Sequence, residues 1–543
     1  MALDTSTSPH TSATFTDDQL ARLRTYGTPH HVAAGDVLYG VGDVGYDLIL
    51  IDEGTAEIVR EERPDAAAEV VAKEQAGGIL GEMSLLTRQA VYLTARMTSD
   101  GAVHRISSAA LRRLMSEDAE LSDILLRTFM ARRDELRASA ARSLEILGDE
   151  RSSGALALRT YAARLQLPHT WFDVSTPECQ ALTDSLGLTA EDLPTVIAAG
   201  TIIRNATPGQ LADRLGLSYR PSDQDVDLIV VGAGPAGLAA AVYGSSEGLR
   251  TVLLDAVGPG GQAAASSRIE NYLGFPNGLS GAELTGLAQT QALKFGTDAY
   301  SPCQVKTLTT TEAGHRIELE DGVVLTARAV IVATGARYRT LPLERWAHFE
   351  GAGIYYAATE IETRRLAGLP VTVVGGANSA GQAAIFLASK GCPVSIVIRS
   401  DDIRAGMSSY LVERILADPA ITVRTGAEVT ALHGEDYLDG VTLHDAAGDR
   451  VEPSAALFCF IGAIPASDWL PDIERDPRGF IFTDVDVSSY RGDGSSRPLP
   501  FETSIPAIFA VGDVRHGSMK RVAAAVGEGA SAVASTHAAL ARI

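Results

Sequence analysis

Two glycine-rich turns, Gly-Ala-Gly-Pro-Ala-Gly at 232–237 and Gly-Gly-Ala-Asn-Ser-Ala at 375–380, constrain this chain more than any other feature. Each follows an apolar run and opens a small-residue stretch, "AGLAAAVYGSS" in one case and "GQAAIFLAS" in the other. Strand, glycine turn and helix in that order build a phosphate-binding unit. The glycines allow a tight turn and close approach of backbone to a pyrophosphate, whose charge the helix amino terminus stabilises. In the first unit the next strand closes on Asp255, about 20 residues on, where a carboxylate can accept hydrogen bonds from an adenosine ribose. Gly232, Gly234, Pro235, Ala236, Gly237 and Asp255 are therefore expected to hold a dinucleotide. The second turn marks a related unit rather than a short-period repeat.

A chain of 543 residues is too long for one core, and about 150 residues per domain suggests three or four units. No run approaches the ~20 apolar residues of a membrane span. The opening "MALDTSTSPHTSATFTDD" has neither a basic segment nor an apolar one, so it reads as the tail of a cytoplasmic protein rather than a secretion signal. With 68 acidic against 46 basic residues the formal charge is −22, which opposes a surface that tracks phosphates and argues against nucleic acid as a partner. The four cysteines, Cys179, Cys303, Cys392 and Cys459, stand singly, with no metal-ligand spacing, and read as reduced buried thiols.

Residues 1–16 read as a flexible tail. From 17 to about 110 short alternating runs are punctuated by Gly35, Gly42, Gly45, Gly54 and Gly81, the pattern of a small antiparallel barrel, and amphipathic helices follow to 142. Residues 143–217 alternate helix and strand, and 218–225 is a polar linker. Beyond it, strands and helices alternate to the end.

Three further segments carry a resemblance. "GPGGQAAASSRIENYLGFP" (258–276), "VIVATGA" (330–336) and "IPAIFAVGDV" (505–514) are similar to the FAD-binding segments of low-molecular-weight thioredoxin reductases. The resemblance implies that Gly261 and Gln262 approach the flavin, with Asn271 in the same wall. It places Thr334 and Gly335 in the Ala-Thr-Gly strand, gives Gly512 and Asp513 the ribityl chain, and sets Arg521, Val522 and Ala523 beside the ring. It also implies a split FAD domain, 226–340 and 463–543, around an inserted NAD(P)H domain, 341–462, with hinges near Tyr338 to Leu341 and Gly462 to Pro465. Gly375, Gly376, Asn378, Ser379 and Ala380 resemble the nicotinamide-dinucleotide turn. Ala377 stands where the family has a second spaced glycine. Arg399 and Arg404 are placed to pair with a 2′-phosphate, favouring NADPH over NADH, although Ser400 replaces the second of the family's two adjacent arginines.

The same family opens its inserted domain with Cys-Ala-Thr-Cys-Asp. This chain has Ala357-Ala358-Thr359-Glu360-Ile361, and none of these side chains performs thiol–disulfide exchange. Glu360 is the candidate for proton transfer near the flavin. The front barrel resembles a cyclic-nucleotide-binding domain, with Gly81, Glu82 and Ser84 at the start of its phosphate cassette. The cassette arginine's place falls on Gln89, beside Arg88, which implies a degenerate site. The 143–217 unit is similar to thioredoxin, with Pro194 in the cis-proline loop and Asp149–Ser153 where Cys-x-x-Cys would stand.

The expected fold is multidomain. An N-terminal cyclic-nucleotide-binding-like β-barrel with helices precedes a small α/β thioredoxin-like unit and two Rossmann-like α/β nucleotide-binding domains of thioredoxin-reductase type. The expected activity is NADPH oxidation through FAD, with hydride accepted at flavin N5 and electrons leaving to a non-disulfide acceptor such as a small organic molecule, quinone, dioxygen or iron–sulfur carrier. Two alternatives stay open: a biosynthetic oxidase or dehydrogenase with a lapsed nicotinamide site, and a regulatory flavin-binding protein. Homodimerisation through the FAD domain is what the family implies, and no metal site is visible.

Overall fold

The computed structural model describes residues 13–542, except 61–67, 82–83, 88–89, 92, 139–143, 151, 199–200, 220–225, 267–268, 270, 359 and 489–497. The cassette residues Glu82, Arg88 and Gln89 thus lie outside the described residues, as do Arg151, Thr359, residues 1–12 of the expected tail and 220–225 of the linker. The rest of that tail is not loose. Ala13 and Phe15 pack on the barrel core, and Thr16 caps the helix Asp17–Arg24 by accepting the Gln19 amide.

The barrel forms from two four-stranded sheets, with turns at Gly35, Gly42 and Gly54 in the left-handed region that glycine reaches at no steric cost. The helices Ser108–Glu117 and Ala119–Ala138 follow it. Arg132 on the second of them reaches into the cassette, donating to the Gly81 and Ile79 carbonyls at 2.8 and 3.0 Å and pairing with buried Glu74 at 2.7 Å. The Ser84 hydroxyl turns inward to Tyr46 at 2.6 Å.

In the next unit the strand Leu144–Gly148 lies parallel to Thr170–Asp173 and antiparallel to Thr195–Ala198, which pairs with Thr201–Ile203. Helix Ser153–Arg164 crosses between the parallel pair, and Pro208–Leu215 closes the unit. This is thioredoxin-like order, and the Leu193–Pro194 peptide is cis, as the sequence implied. Barrel and thioredoxin-like unit share one apolar core, which runs from Leu23 through Phe129 and Ile146 to Leu217. Apolar burial therefore joins what the sequence suggests are two bodies.

The FAD-type domain is a seven-stranded sheet. Its parallel part orders Asp298–Tyr300, Thr251–Leu254, Val226–Val231 and Val324–Val332, and Ile508–Ala510 adds to the last of these from near the carboxyl end. Helices Pro235–Ser246 and Val522–Leu540 pack on one face, where most of the alanine-rich core lies. The inserted domain has a five-stranded parallel sheet and a three-stranded antiparallel one. The chain enters and leaves it through Ala336–Tyr338 and Ala463–Pro465, which pair antiparallel, so both crossings share one hinge ribbon.

Candidate functional site

The first glycine turn is built by close contact. Gly232 has φ +103°, and a Cβ there would lie 2.4 Å from the Ala333 carbonyl oxygen. A Cβ on Gly237 would lie 1.8 Å from the Gly232 oxygen, so the helix Pro235–Ser246 sits directly on its own turn. Gly234 differs. Nothing but the Gly261 Cα, 4.0 Å away, approaches its Cβ position, so its open side faces the 258–262 loop. A concave turn with that opening at a helix amino end fits a pyrophosphate.

Asp255 has a second job. Its carboxylate accepts the amides of Ala233 at 2.7 Å, Val257 at 2.9 Å and Gly258 at 2.7 Å, so it ties the phosphate turn to the loop that follows its own strand. In that loop Gln262 is exposed and donates its side-chain amide to the Ala336 carbonyl at the hinge, while Asn271 lies exposed further along. Thr334 donates to the Ala466 oxygen at 2.7 Å, and Gly335 accepts the Ala466 amide, so these two residues hold the returning chain.

At the carboxyl end, Gly512 and Asp513 form one turn of 3-10 helix beside the start of Val522–Leu540, which Arg521 precedes and Val522 and Ala523 open. Burial raises the Asp513 carboxyl above the usual carboxylate range, opposed by Lys520 and reinforced by Glu528. A raised carboxyl pKa means the folded state favours the proton, so this group's contribution is most favourable in acid and is lost as pH rises. Asp513→Asn is therefore expected to raise the melting temperature of flavin-stripped protein at neutral pH. The difference should shrink as pH falls through the unfolded Asp pKa of about 3.9 and vanish by about pH 3, where Asp is protonated in both states. Thermal melts across pH would check this.

Sequence reasoning missed Glu528 and Gly529. Glu528 accepts the Gly512 amide at 2.7 Å and a two-pronged pair from Arg515 at 2.7 and 3.2 Å. The available signal was an acid between two glycines, "VGEGASA", inside an otherwise apolar helix.

In the inserted domain the second turn repeats the first. A Cβ on Gly375 would lie 2.4 Å from the Phe460 oxygen, and Ala377 caps the helix Asn378–Ser389 with extended backbone, as Gly234 caps the first. Ala380 is buried and serves packing, whereas Ala377, Asn378 and Ser379 are exposed beside Gly376. Arg399 and Arg404 are both exposed on the loop that returns to this turn. Glu360 starts the helix Glu360–Thr363, and its side chain lies outside the description. Before that helix Tyr355 and Ala358 pack on the inserted domain's core, and Tyr356 stacks on Tyr338 of the hinge, rings parallel at 5.3 Å. Burial pushes the Tyr338 phenol up to about 12, with Arg164 opposing and Asp513 adding, so it stays protonated.

The four cysteines are free, buried and divided among four separate apolar clusters. Burial pushes Cys303 and Cys459 up to about 11. Among the described residues no group of three His, Cys, Asp or Glu side chains could hold a metal, and no helix is long and apolar enough to cross a membrane.

Residues 226–529 match the model of the pyridine nucleotide-disulphide oxidoreductases. The chain belongs to that family. Its enzymes use FAD and NAD(P)H. Residues 29–118 match the cyclic nucleotide-binding domain, which agrees with the barrel. Thioredoxin reductase of Treponema pallidum (strain Nichols) is 34% identical over 313 residues, 57% of this chain and 95% of that one. NADH dehydrogenase of Ferdinandcohnia aciditolerans is 30% identical over 316 residues, 57% of each chain. The crystal structure of Lactococcus lactis thioredoxin reductase in its FR conformation covers 59% of this oxidoreductase and 100% of that chain, with TM-score 0.52 and 25% identity.

Proposed function

We propose that this oxidoreductase takes reducing equivalents from NADPH and passes them to an acceptor that is not a protein disulfide. One observation carries the reading: alanine and glutamate stand at 357 and 360, and the four cysteines lie in separate cores as thiols rather than thiolates. Disulfide exchange needs a thiolate with access to its partner, and nothing in this chain meets that need.

The residues fit FAD. The turn at Gly232–Gly237 with its open Gly234, the loop at Gly261 and Gln262, the wall at Asn271, and Asp513 with Arg521–Ala523 would hold it. When bound, FAD supplies the two-electron redox chemistry. The chain's own residues do the rest. The helix amino end at Gly234 to Ala236 stabilises phosphate charge, Asp513 offers its carboxyl to a hydroxyl-bearing chain, and Glu528 fixes the turn from which Asp513 projects. The turn at Gly375, Gly376, Asn378 and Ser379, with Arg399 and Arg404, would hold NADPH. Homodimerisation and a cytoplasmic location are part of the same reading, on the ground of family likeness.

The test is anaerobic mixing of the purified protein with NADPH and with NADH while the flavin band is followed. Rapid bleaching supports the reading, and turnover with menadione but not with oxidised thioredoxin completes it. Alkylating the enzyme before the assay is expected to leave menadione turnover unchanged, because buried thiols of raised pKa do not react. No bleaching by either nucleotide would sink the reading and favour an organic substrate as the electron donor.

A further inference from the structure

Where a thioredoxin-fold protein keeps its reactive pair this chain has Asp149, Glu150, Ser152 and Ser153. The fold presses these residues against the segment that follows Glu350, where the reductases keep theirs. A Cβ on Gly351 would lie 3.1 Å from the Ser153 Cα and 3.2 Å from its Cβ. Tyr437 of the inserted domain donates its hydroxyl to Asp149. Arg365, just past the helix Glu360–Thr363, pairs with Glu150, with Asp173 at 2.8 Å, and donates to the Ser175 hydroxyl at 3.3 Å. The acids are nearly dry, with side-chain exposures of 8% for Glu150 and 6% for Asp173, and Glu150 is also paired with buried Arg159 at 3.0 Å. Charges this buried hold only with their partners in place.

The other side of the same unit grips the FAD-type domain. Tyr161 donates to the Ser301 oxygen at 2.7 Å, and Arg164 donates to the Gly258 oxygen at 3.2 Å, in the loop that leads to Gln262. The Gln166 amide lies against Gly286. One small unit, joined by a common core to the barrel, therefore contacts both nucleotide-binding domains on either side of the hinge ribbon.

We propose that the thioredoxin-like unit is a fixed cross-brace, which occupies the face where a disulfide-bearing protein would receive electrons and so restricts this enzyme to small acceptors. The contacts fall at Gly351 and Arg365, on either side of the 357–361 segment, and an ion-pair network stands there in place of a disulfide relay. The restriction on acceptors rests on the function proposed above, whereas the brace itself does not.

The test is a crosslink, Ser153→Cys with Gly351→Cys, in the full chain. The native cysteines are buried, so only the new pair should close on oxidation, and the yield is read by mass spectrometry without any assay of activity. Near-complete closure in the resting enzyme is expected. Menadione turnover of the closed form should then stay within about twofold of the reduced form, since the brace need not open. Failure to close, or a loss of about tenfold or more that tris(carboxyethyl)phosphine reverses, would overturn the proposal, the tenfold corresponding to about 1.4 kcal/mol of barrier. A reduced variant and parent that are both inactive with menadione would count against the proposed function and leave the crosslink yield to judge the brace. Because Gly351 has φ +77°, where a side chain is strained, Arg365→Glu gives a second route. Faster hydrogen exchange at both 149–153 and 351–358 is expected, and unchanged exchange there would overturn the brace.

Discussion

Gly529→Val should strip this protein of flavin, weakening the FAD dissociation constant by about 100-fold, the equivalent of roughly 3 kcal/mol. A Cβ on Gly529 would lie 2.0 Å from the Ala236 carbonyl oxygen and 3.2 Å from its Cα. The obstacle is backbone, so no rotamer change relieves it. Helix Val522–Leu540 must move away from Pro235–Ser246, the helix whose amino end forms the phosphate turn. Glu528 moves with it, and with Glu528 goes the hydrogen bond that holds Gly512 beside Asp513. Overpacking of a tight core costs about 1–3 kcal/mol even where side chains can yield, so a lower melting temperature should accompany the lost flavin. Gly527→Ala is the control. It lies on the same helix, exposed, with nothing within 4 Å of its Cβ position, and should be neutral or stabilising by up to about 1 kcal/mol, since alanine favours helix. Equal flavin loss in both variants would mean that the helix contact is not what holds the turn.

The contrast between those glycines shows what was legible in the sequence. Gly232 and Gly237 announce themselves because a short period places them between an apolar strand and a helix, and local geometry alone demands them. Gly529 is demanded by a residue almost 300 positions earlier, and a single sequence carries no mark of that contact beyond the odd "GEG". The same distinction runs through the candidate site. Pro194, the barrel turns and the two dinucleotide units follow from local pattern, and the absence of a dithiol is read directly at 357–361. The hold of Arg132 on the cassette and the meeting of Glu150 with Arg365 join segments far apart in sequence, and the second role of Asp255 depends on how its loop folds back on the glycine turn. Charge patterning could not foretell them, because Arg365 reads as one of many solvated cations until the thioredoxin-like unit is folded against it. The common core of barrel and thioredoxin-like unit was hidden for a related reason: apolar faces show that burial occurs, but not which neighbour supplies it.

The second large effect concerns which nicotinamide nucleotide is used. The loop after strand Val394–Val397 folds back on the second glycine turn: Asn378 accepts the Ser408 amide at 2.8 Å, a Cβ on Gly381 would lie 2.6 Å from the Met407 sulfur, and one on Gly406 would lie 2.8 Å from the Gly376 oxygen. Arg399 and Arg404 therefore hang at the edge of the turn that would carry the pyrophosphate. Ser400, between them, donates to the Asp402 oxygen at 3.1 Å and offers no cation. Asp402 lies 3.6 Å from Arg404, so it both draws on that guanidinium and repels an incoming phosphate dianion. A charge-assisted hydrogen bond to phosphate is worth about 1.5–3 kcal/mol. The double variant Arg399→Ala with Arg404→Ala should accordingly weaken the NADPH dissociation constant by roughly 30- to 100-fold, read from the concentration dependence of anaerobic flavin bleaching. NADH, which lacks the 2′-phosphate, should shift by less than about threefold. Asp402→Asn should move NADPH the other way and leave NADH where it was. Equal weakening of both nucleotides by the double variant would show that the arginines shape the loop rather than read the phosphate, and would remove the ground for the proposed preference for NADPH.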